Sequence, residues 1–219
     1  MNRSPIFSPG VLLFDWDDTL VDGWAAITAA LNAVFAAHAM PAWTVSQTRE
    51  RVRGSLRDTF PGMFGAGWTG ARDLFYATLE EQHLDHLRPM PGAIDALTAA
   101  GAWPCGVVSN KAGRYLRAEV VHLGWAGHFR AVVGAGDAAA DKPDPAPIRL
   151  ALEPIGAGPD RTVWYLGDTA LDMRTARAAG CTAVLIGDAE HDGGVAHADP
   201  DLHFADARAL ALHLRQQAT

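Results

Sequence analysis

Short apolar runs punctuate the chain at 11–16 (VLLFDW), 105–109 (CGVVS), 131–135 (AVVGA), 163–166 (VWYL) and 182–186 (TAVLI). Apolar residues follow one another there without polar alternation, which is the pattern of strands buried on both faces. Between them lie stretches at helical spacing: 93–100, stopped by Gly101; 112–123, stopped by Gly124; 147–152; and 169–179, stopped by Gly180. Strands that alternate with helices predict βαβ units. The expected fold class is α/β, a Rossmann-like parallel sheet with helices on both faces.

One region breaks the rhythm. Residues 23–88 carry no strong strand signal. Asp22 is placed to cap a helix to about 38, with Ile27, Leu31, Val34 and Phe35 at helical spacing. Thr44 with Gln47 has the pattern of a capping box, opening a second helix that stops near Gly54. A loop (PGMFGAGWTG) follows, then a third helix over 71–86 and a Pro-rich exit, RPMPG. The pattern therefore predicts a core domain of residues 1–22 and 89–219 with an inserted helical domain over 23–88.

Charge and composition narrow the function. The formal net charge of −7 disfavours nucleic acid as a partner. No run reaches the roughly 20 apolar residues that span a bilayer. The first residues, MNRSPIFSPG, lack the apolar segment of a secretory signal, so a cytoplasmic location is expected. Cys105 and Cys181 flank apolar runs without metal or redox spacing, and read as reduced core thiols. His83 and His86 share a helix face and, without a third ligand, read as solvated. The chain holds only two lysines, Lys111 and Lys142, against many arginines. A lysine kept in such a chain suggests a position that needs a compact ammonium.

Ligands of open α/β sheets bind beyond the carboxyl ends of the strands. Here those ends gather Asp15, Asp17, Asp18 and Thr19; Ser109, Asn110 and Lys111; Asp141 and Lys142; and Asp168, Thr169 and Asp172. Clustered carboxylates repel unless a cation is present, and hard oxygen ligands beside a phosphate favour Mg2+. A carboxylate can attack phosphorus, a second acid can protonate the leaving oxygen, and a lysine and a hydroxyl can hold the phosphoryl oxygens. Phosphoryl transfer fits this set.

The stretches DWDDTL, VVSN, KP and GDTALD, in this order and each after an expected strand, resemble the sequential motifs of the haloacid dehalogenase superfamily. The inserted helices resemble that family's C1-type cap, and the SNK stretch resembles phosphoglycolate phosphatases. The resemblance implies that Asp15 is the nucleophile and Asp17 the general acid and base, with its carbonyl on the metal. Lys142 would neutralise charge between Asp15 and the phosphate. Thr19 would support the first loop and reach the phosphate, Ser109 would bind phosphoryl oxygens, and Asn110 would fix the backbone beside it. Asp15 and Asp168 would bind Mg2+. Asp172 would be a ligand or stand behind one, or act only on the helix N-terminus. Lys111 reads either as a phosphate contact or as a surface residue opening a helix. Asp18 stands where the family more often has glycine.

The presence of Asp17 favours a phosphatase over a dehalogenase, and the absence of lysine from 23–88 disfavours a phosphonatase. Arg53 and Arg57 align loosely with the cap's specificity loop and read as contacts to a second anionic group, or as a solvated helix face. The implied substrate is a small phosphorylated metabolite such as phosphoglycolate, handled by a monomer or homodimer with no membrane partner. The alternatives are a nucleotide or sugar-phosphate phosphatase and a non-catalytic phospholigand-binding member.

Overall fold

A computed structural model describes residues 8–52 and 54–218. The chain divides into two compact units, Met1–Val21 with Pro89–Thr219, and Asp22–Arg88. In chain order the elements are β1 (Val11–Phe14), β2 (Val21–Asp22), α1 (Trp24–Ala37), α2 (Val45–Arg51), α3 (Leu56–Phe64), α4 (Trp68–His86), β3 (Arg88–Pro89) and α5 (Ala93–Ala99). Then follow β4 (Cys105–Ala112), α6 (Gly113–His122), β5 (Ala131–Ala135), α7 (Ala146–Leu152), β6 (Val163–Gly167), α8 (Ala170–Ala179), β7 (Thr182–Ile186), α9 (Gly194–Ala198), β8 (Leu202–Phe204) and α10 (Ala207–Gln217).

The larger unit is built on a parallel sheet ordered β5-β4-β1-β6-β7-β8, and β2 pairs with β3 in a separate ribbon. Its central strands are apolar throughout because helices cover both faces; every residue of β1, β6 and β7 is buried. Leu13, Val108, Tyr165 and Leu185 pack with Ile148 of α7 and Met173 of α8. Each such aliphatic side chain contributes about 1.5–3 kcal/mol on burial. The chain runs outward from β1 through β4 to β5, then returns to β6 on the other side of β1. Strand order reverses at β1, which is where open α/β sheets bind ligands.

Run and strand differ at β1. The apolar run reaches Trp16, but the strand stops at Phe14, because the Trp16 carbonyl accepts from the N–H groups of Leu20 (2.9 Å) and Val21 (3.0 Å). Asp18 inside this turn has φ 60°, the left-handed conformation that explains a preference for glycine there and that aspartate tolerates. Beyond Ile186 the sequence pattern marks no element, yet β8 and α10 follow. β8 is too short for a periodic signal, and Asp206 caps α10 by accepting from Ala209 N at 2.8 Å.

The helical unit departs from expectation in its middle. PGMFGAGWTG is not an open loop: α3 runs through Pro61 to Phe64, a short 3-10 turn spans Gly65–Gly67, and α4 begins at Trp68. Aromatic packing overrides the weak local propensity, with Phe60 edge-on to Phe64 at 5.0 Å and to Phe75 at 5.7 Å. The capping box of Thr44 and Gln47 forms. Gly23, not Asp22, occupies the N-cap of α1, while Asp22 Oδ1 accepts from Trp24 N at 3.1 Å. His83 is buried on α4, unlike the solvated face expected of it, whereas His86 is exposed. Both cysteines are free and buried, as the core reading has them. Among the described residues no helix is long and apolar enough to cross a membrane.

Candidate active site

The two lysines of the chain both lie in the strand-end cluster of the larger unit, and each is clasped by two carboxylates. Lys142 Nζ donates to Asp15 Oδ1 and to Asp172 Oδ1, each at 2.7 Å. Lys111 Nζ donates to Asp17 Oδ1 at 2.9 Å and to both oxygens of Glu119 at 2.9 and 2.6 Å. Asp15 follows β1 directly, and its backbone N–H still reaches Leu166 O on β6 at 2.7 Å. The nucleophile candidate is thus fixed by the sheet itself.

Further bonds order the cluster. Asn110 grips the backbone of Lys142 at two points, its Nδ2 donating to Lys142 O (3.1 Å) and its Oδ1 accepting from Lys142 N (2.9 Å). That amide is spent on the Lys142 loop rather than on the backbone beside Ser109. Ser109 Oγ is buried and accepts from Lys111 N at 3.2 Å. Thr19 Oγ1 donates to Asp168 Oδ1 at 3.1 Å. Asp172 spends its second oxygen on Thr169, accepting from Thr169 N (3.2 Å) and Oγ1 (2.5 Å) in the N-terminal box of α8. A β-carbon on Gly167 would collide with the Asp172 side chain, so glycine at the end of β6 is what lets that carboxylate approach.

Electrostatics follow from burial. Burial raises the Asp15 carboxyl well above the ordinary carboxylate value; Lys142 opposes this, and Asp172 and Asp168 reinforce it. Asp168 is also raised, by burial first, with the His191 hydrogen bond opposing. Burial raises Asp17 too, with Lys111 opposing and Glu119 adding. Burial acts to lower Lys142, but Asp15 and Asp172 outweigh it and hold the ammonium well above its usual value. Lysines that stay charged among acids can neutralise an anionic transition state.

The donor set fits a hard dication. Asp15, Asp168 and Asp172 each offer an oxygen, and these atoms all lie within 4.8 Å of one another. Asp172 already accepts from Lys142 and Thr169, which leaves Asp15 and Asp168 as the freer ligands. A bound cation would offset the burial, and the neighbouring negative charge, that raise Asp15 and Asp168. Asp18, Asp168 and His191 form a second compact group, with His191 Nε2 3.3 Å from Asp168 Oδ2.

The strand-end candidates are therefore linked in one place. Arg57 is exposed on α3 of the helical unit, and Arg53 lies outside the described residues. Sequence reasoning missed Glu119, Tyr165 and His191. Glu119 had a signal: it interrupts the apolar stripe of α6 between Leu116 and Val120, where a charge needs a partner. Tyr165 reads as one more core aromatic, yet its Oη lies 2.9 Å from Val108 O and 3.2 Å from Asp172 Oδ1.

The sequence matches the haloacid dehalogenase-like hydrolase family over residues 12–192. It is 33% identical over 185 residues to a phosphoglycolate phosphatase of Xylella fastidiosa, covering 81% of this chain and 80% of that protein. It is 32% identical over 184 residues to an N-acetylmuramic acid 6-phosphate phosphatase of Pseudomonas aeruginosa, covering 80% of each. In fold it resembles a haloacid dehalogenase-like family hydrolase of Streptococcus pneumoniae, with a TM-score of 0.81 at 20% identity over 96% of this chain and 99% of that one. A match across most of the chain, with relatives of this similarity and coverage, places the protein in the haloacid dehalogenase-like hydrolase family.

Proposed function

We propose that this hydrolase is a Mg2+-dependent phosphatase that acts on a small phosphorylated metabolite through an aspartyl-phosphate on Asp15. The observation that carries the reading is the Lys142 ammonium, buried 2.7 Å from both Asp15 and Asp172 at the strand ends. Asp15 attacks phosphorus as the bond to the leaving oxygen breaks, and Asp17 gives that oxygen its proton. Asp17 then takes a proton from water, which attacks the phosphorus of the intermediate and returns Asp15. Ser109 and Lys142 hold the phosphoryl oxygens. Asp172 holds Lys142 in place, and Thr19 orients Asp168. Asp15, Asp168 and the Asp17 carbonyl would hold Mg2+, which when bound neutralises charge between nucleophile and phosphate.

We assign the Asp22–Arg88 unit as the cap that reads the rest of the substrate. Phosphoglycolate is the first candidate, supported by the relatives named for it. A sugar phosphate is the second, supported by the N-acetylmuramic acid 6-phosphate phosphatase at nearly equal identity. A cytoplasmic monomer or homodimer is the assembly this reading carries with it. The test is phosphate release from 4-nitrophenyl phosphate and from a panel of phosphorylated metabolites, with Mg2+ and after chelation. Mg2+-dependent hydrolysis is expected; no hydrolysis of any phosphomonoester would leave the non-catalytic alternative standing.

A further inference from the structure

Besides the Lys142 group, the strand-end region holds a second buried charged assembly, of which the chemistry above uses only Asp17. Its members are Glu119 on α6, Lys111 at the end of β4, and Trp16 and Asp17 after β1. Glu119 is 1% exposed and has no metal or substrate role assigned to it. A lone carboxylate at such depth costs several kcal/mol unless paired. It is paired twice: Lys111 Nζ donates to both its oxygens, and Trp16 Nε1 donates to Oε2 at 2.6 Å. Trp16 is itself fully buried and packs edge-on against Trp125 at 5.8 Å.

The consequence falls on Asp17. Besides the backbone bridge to Val21, two contacts that bear on it converge on Glu119: the ring of its neighbour Trp16 and the amine that binds its own Oδ1 at 2.9 Å. With Oδ1 taken by Lys111, the side chain is held in one orientation, and Oδ2 is the oxygen left to carry the proton. Lys111 has spent its hydrogen bonds inside this assembly, which leaves it poorly suited to bind a phosphate directly. Proton transfer needs a donor placed within hydrogen-bond reach, so an acid with a free rotamer would lose much of its effect.

We propose that Glu119 and Lys111 are positioning residues for the general acid and base: Glu119 pins Lys111, and Lys111 pins Asp17 for proton transfer to the leaving oxygen. This rests on the phosphatase reading, and the experiment separates the two. kcat/KM reports the steps through departure of the leaving group. An aryl phosphate such as 4-nitrophenyl phosphate leaves readily with little help from an acid, whereas an alkyl phosphomonoester with a basic leaving oxygen depends on one. Mg2+-dependent turnover of the aryl ester by the wild-type protein checks the reading itself.

Glu119→Gln keeps the shape and an acceptor for Trp16 but removes the charge that fixes Lys111. The expected result is a fall of about tenfold or more in kcat/KM on alkyl phosphates, with a change of less than about threefold on the aryl ester. If the single variant does not fold, the double variant Lys111→Met/Glu119→Gln removes both charges together and avoids an unpaired buried ion; it should show the same split. Adding Glu119→Gln to Asp17→Asn should then produce no further loss on the alkyl ester, as expected of residues that act as a unit. Equal losses on both esters in a folded variant, an increase in KM shared by both, no loss on either, or full additivity with Asp17→Asn would each overturn the proposal.

Discussion

The two units of this chain use charge in opposite ways. In the larger unit Lys142 is 3% exposed and its partner Asp172 1%, and both lysines are held among carboxylates beneath the surface. In the helical unit the charged pairs lie nearer the solvent: Arg72 and Asp73, 2.7 Å apart, are 38% and 68% exposed, and Arg49 and Asp22 are half-buried at 31% and 45%. The interior of that unit is aromatic instead, with Phe35 against Trp43 and Phe60 against Phe75. It also buries the indole N–H of Trp24 and the hydroxyl of Thr28 without a partner among the described residues. A buried ion network sets geometry at the cost of desolvation, while an aromatic core with exposed charges sets only the fold. On the function proposed above, one unit carries the chemistry and the other reads the rest of the substrate.

The sharpest way to break the comparison is to remove one cation from each unit. Lys142→Met leaves Asp15 and Asp172 as buried acids without their counterion. We expect a loss of about 3–5 kcal/mol in denaturant unfolding, with turnover down by about a hundredfold or more. Arg72→Ala should cost at most about 1 kcal/mol and leave turnover unchanged. Comparable destabilisation by the two would erase the distinction between the units.

Metal binding sharpens it next. Mg2+ at about a hundred times its dissociation constant should add about 2.7 kcal/mol of stability, read as a rise in Tm. Asp168→Asn should abolish the rise. A shift that survives this change would move the ion away from the strand ends.

A smaller effect tests the helical unit. Arg57→Ala should lower kcat/KM about tenfold on a carboxylated phosphoester and leave an aryl phosphate nearly unchanged, because a lost charge-assisted bond is worth about 1.5–3 kcal/mol. Equal loss on both would make Arg57 a structural residue, and no change would return it to a solvated helix face.

A last test concerns the thiols of the larger unit. Burial pushes both Cys105 and Cys181 from 9.0 up to about 12. Their thiolate fraction near neutral pH is lower by about a thousandfold, so alkylation of the native protein should be slow and should accelerate on unfolding. Because the folded values lie above the unfolded ones, their contribution to stability is complete below pH 9.0 and is lost as pH rises toward about 12. Rapid alkylation of native protein at neutral pH would contradict the burial.

Sequence pattern marks most of the candidate strand-end cluster because its signals are local. A buried parallel strand is an unbroken apolar run, and the polar residue that ends it is a candidate by position alone; Asp15, Ser109 and Asp168 were legible in this way. The two lysines stood out through composition. What escaped depends on distant segments. Glu119 lies far along the chain from Trp16, whose indole it accepts, and no spacing rule joins them. Asn110 reads as a partner for its own loop, yet its amide closes on Lys142. Pro61 and Gly62 suggest a loop, but packing of Phe60 and Phe64 continues the helix past them.

The central claim is that Asp15 takes the phosphoryl group, and it can be tested by trapping. The enzyme is mixed with Mg2+ and a phosphomonoester it turns over, quenched in acid within a single turnover, and digested for peptide mass spectrometry. The account predicts a phosphoryl adduct on Asp15 that is absent without Mg2+, absent in Asp15→Asn, and longer-lived in Asp17→Asn. Full turnover by a folded Asp15→Asn protein, or an adduct on any other residue, would contradict it.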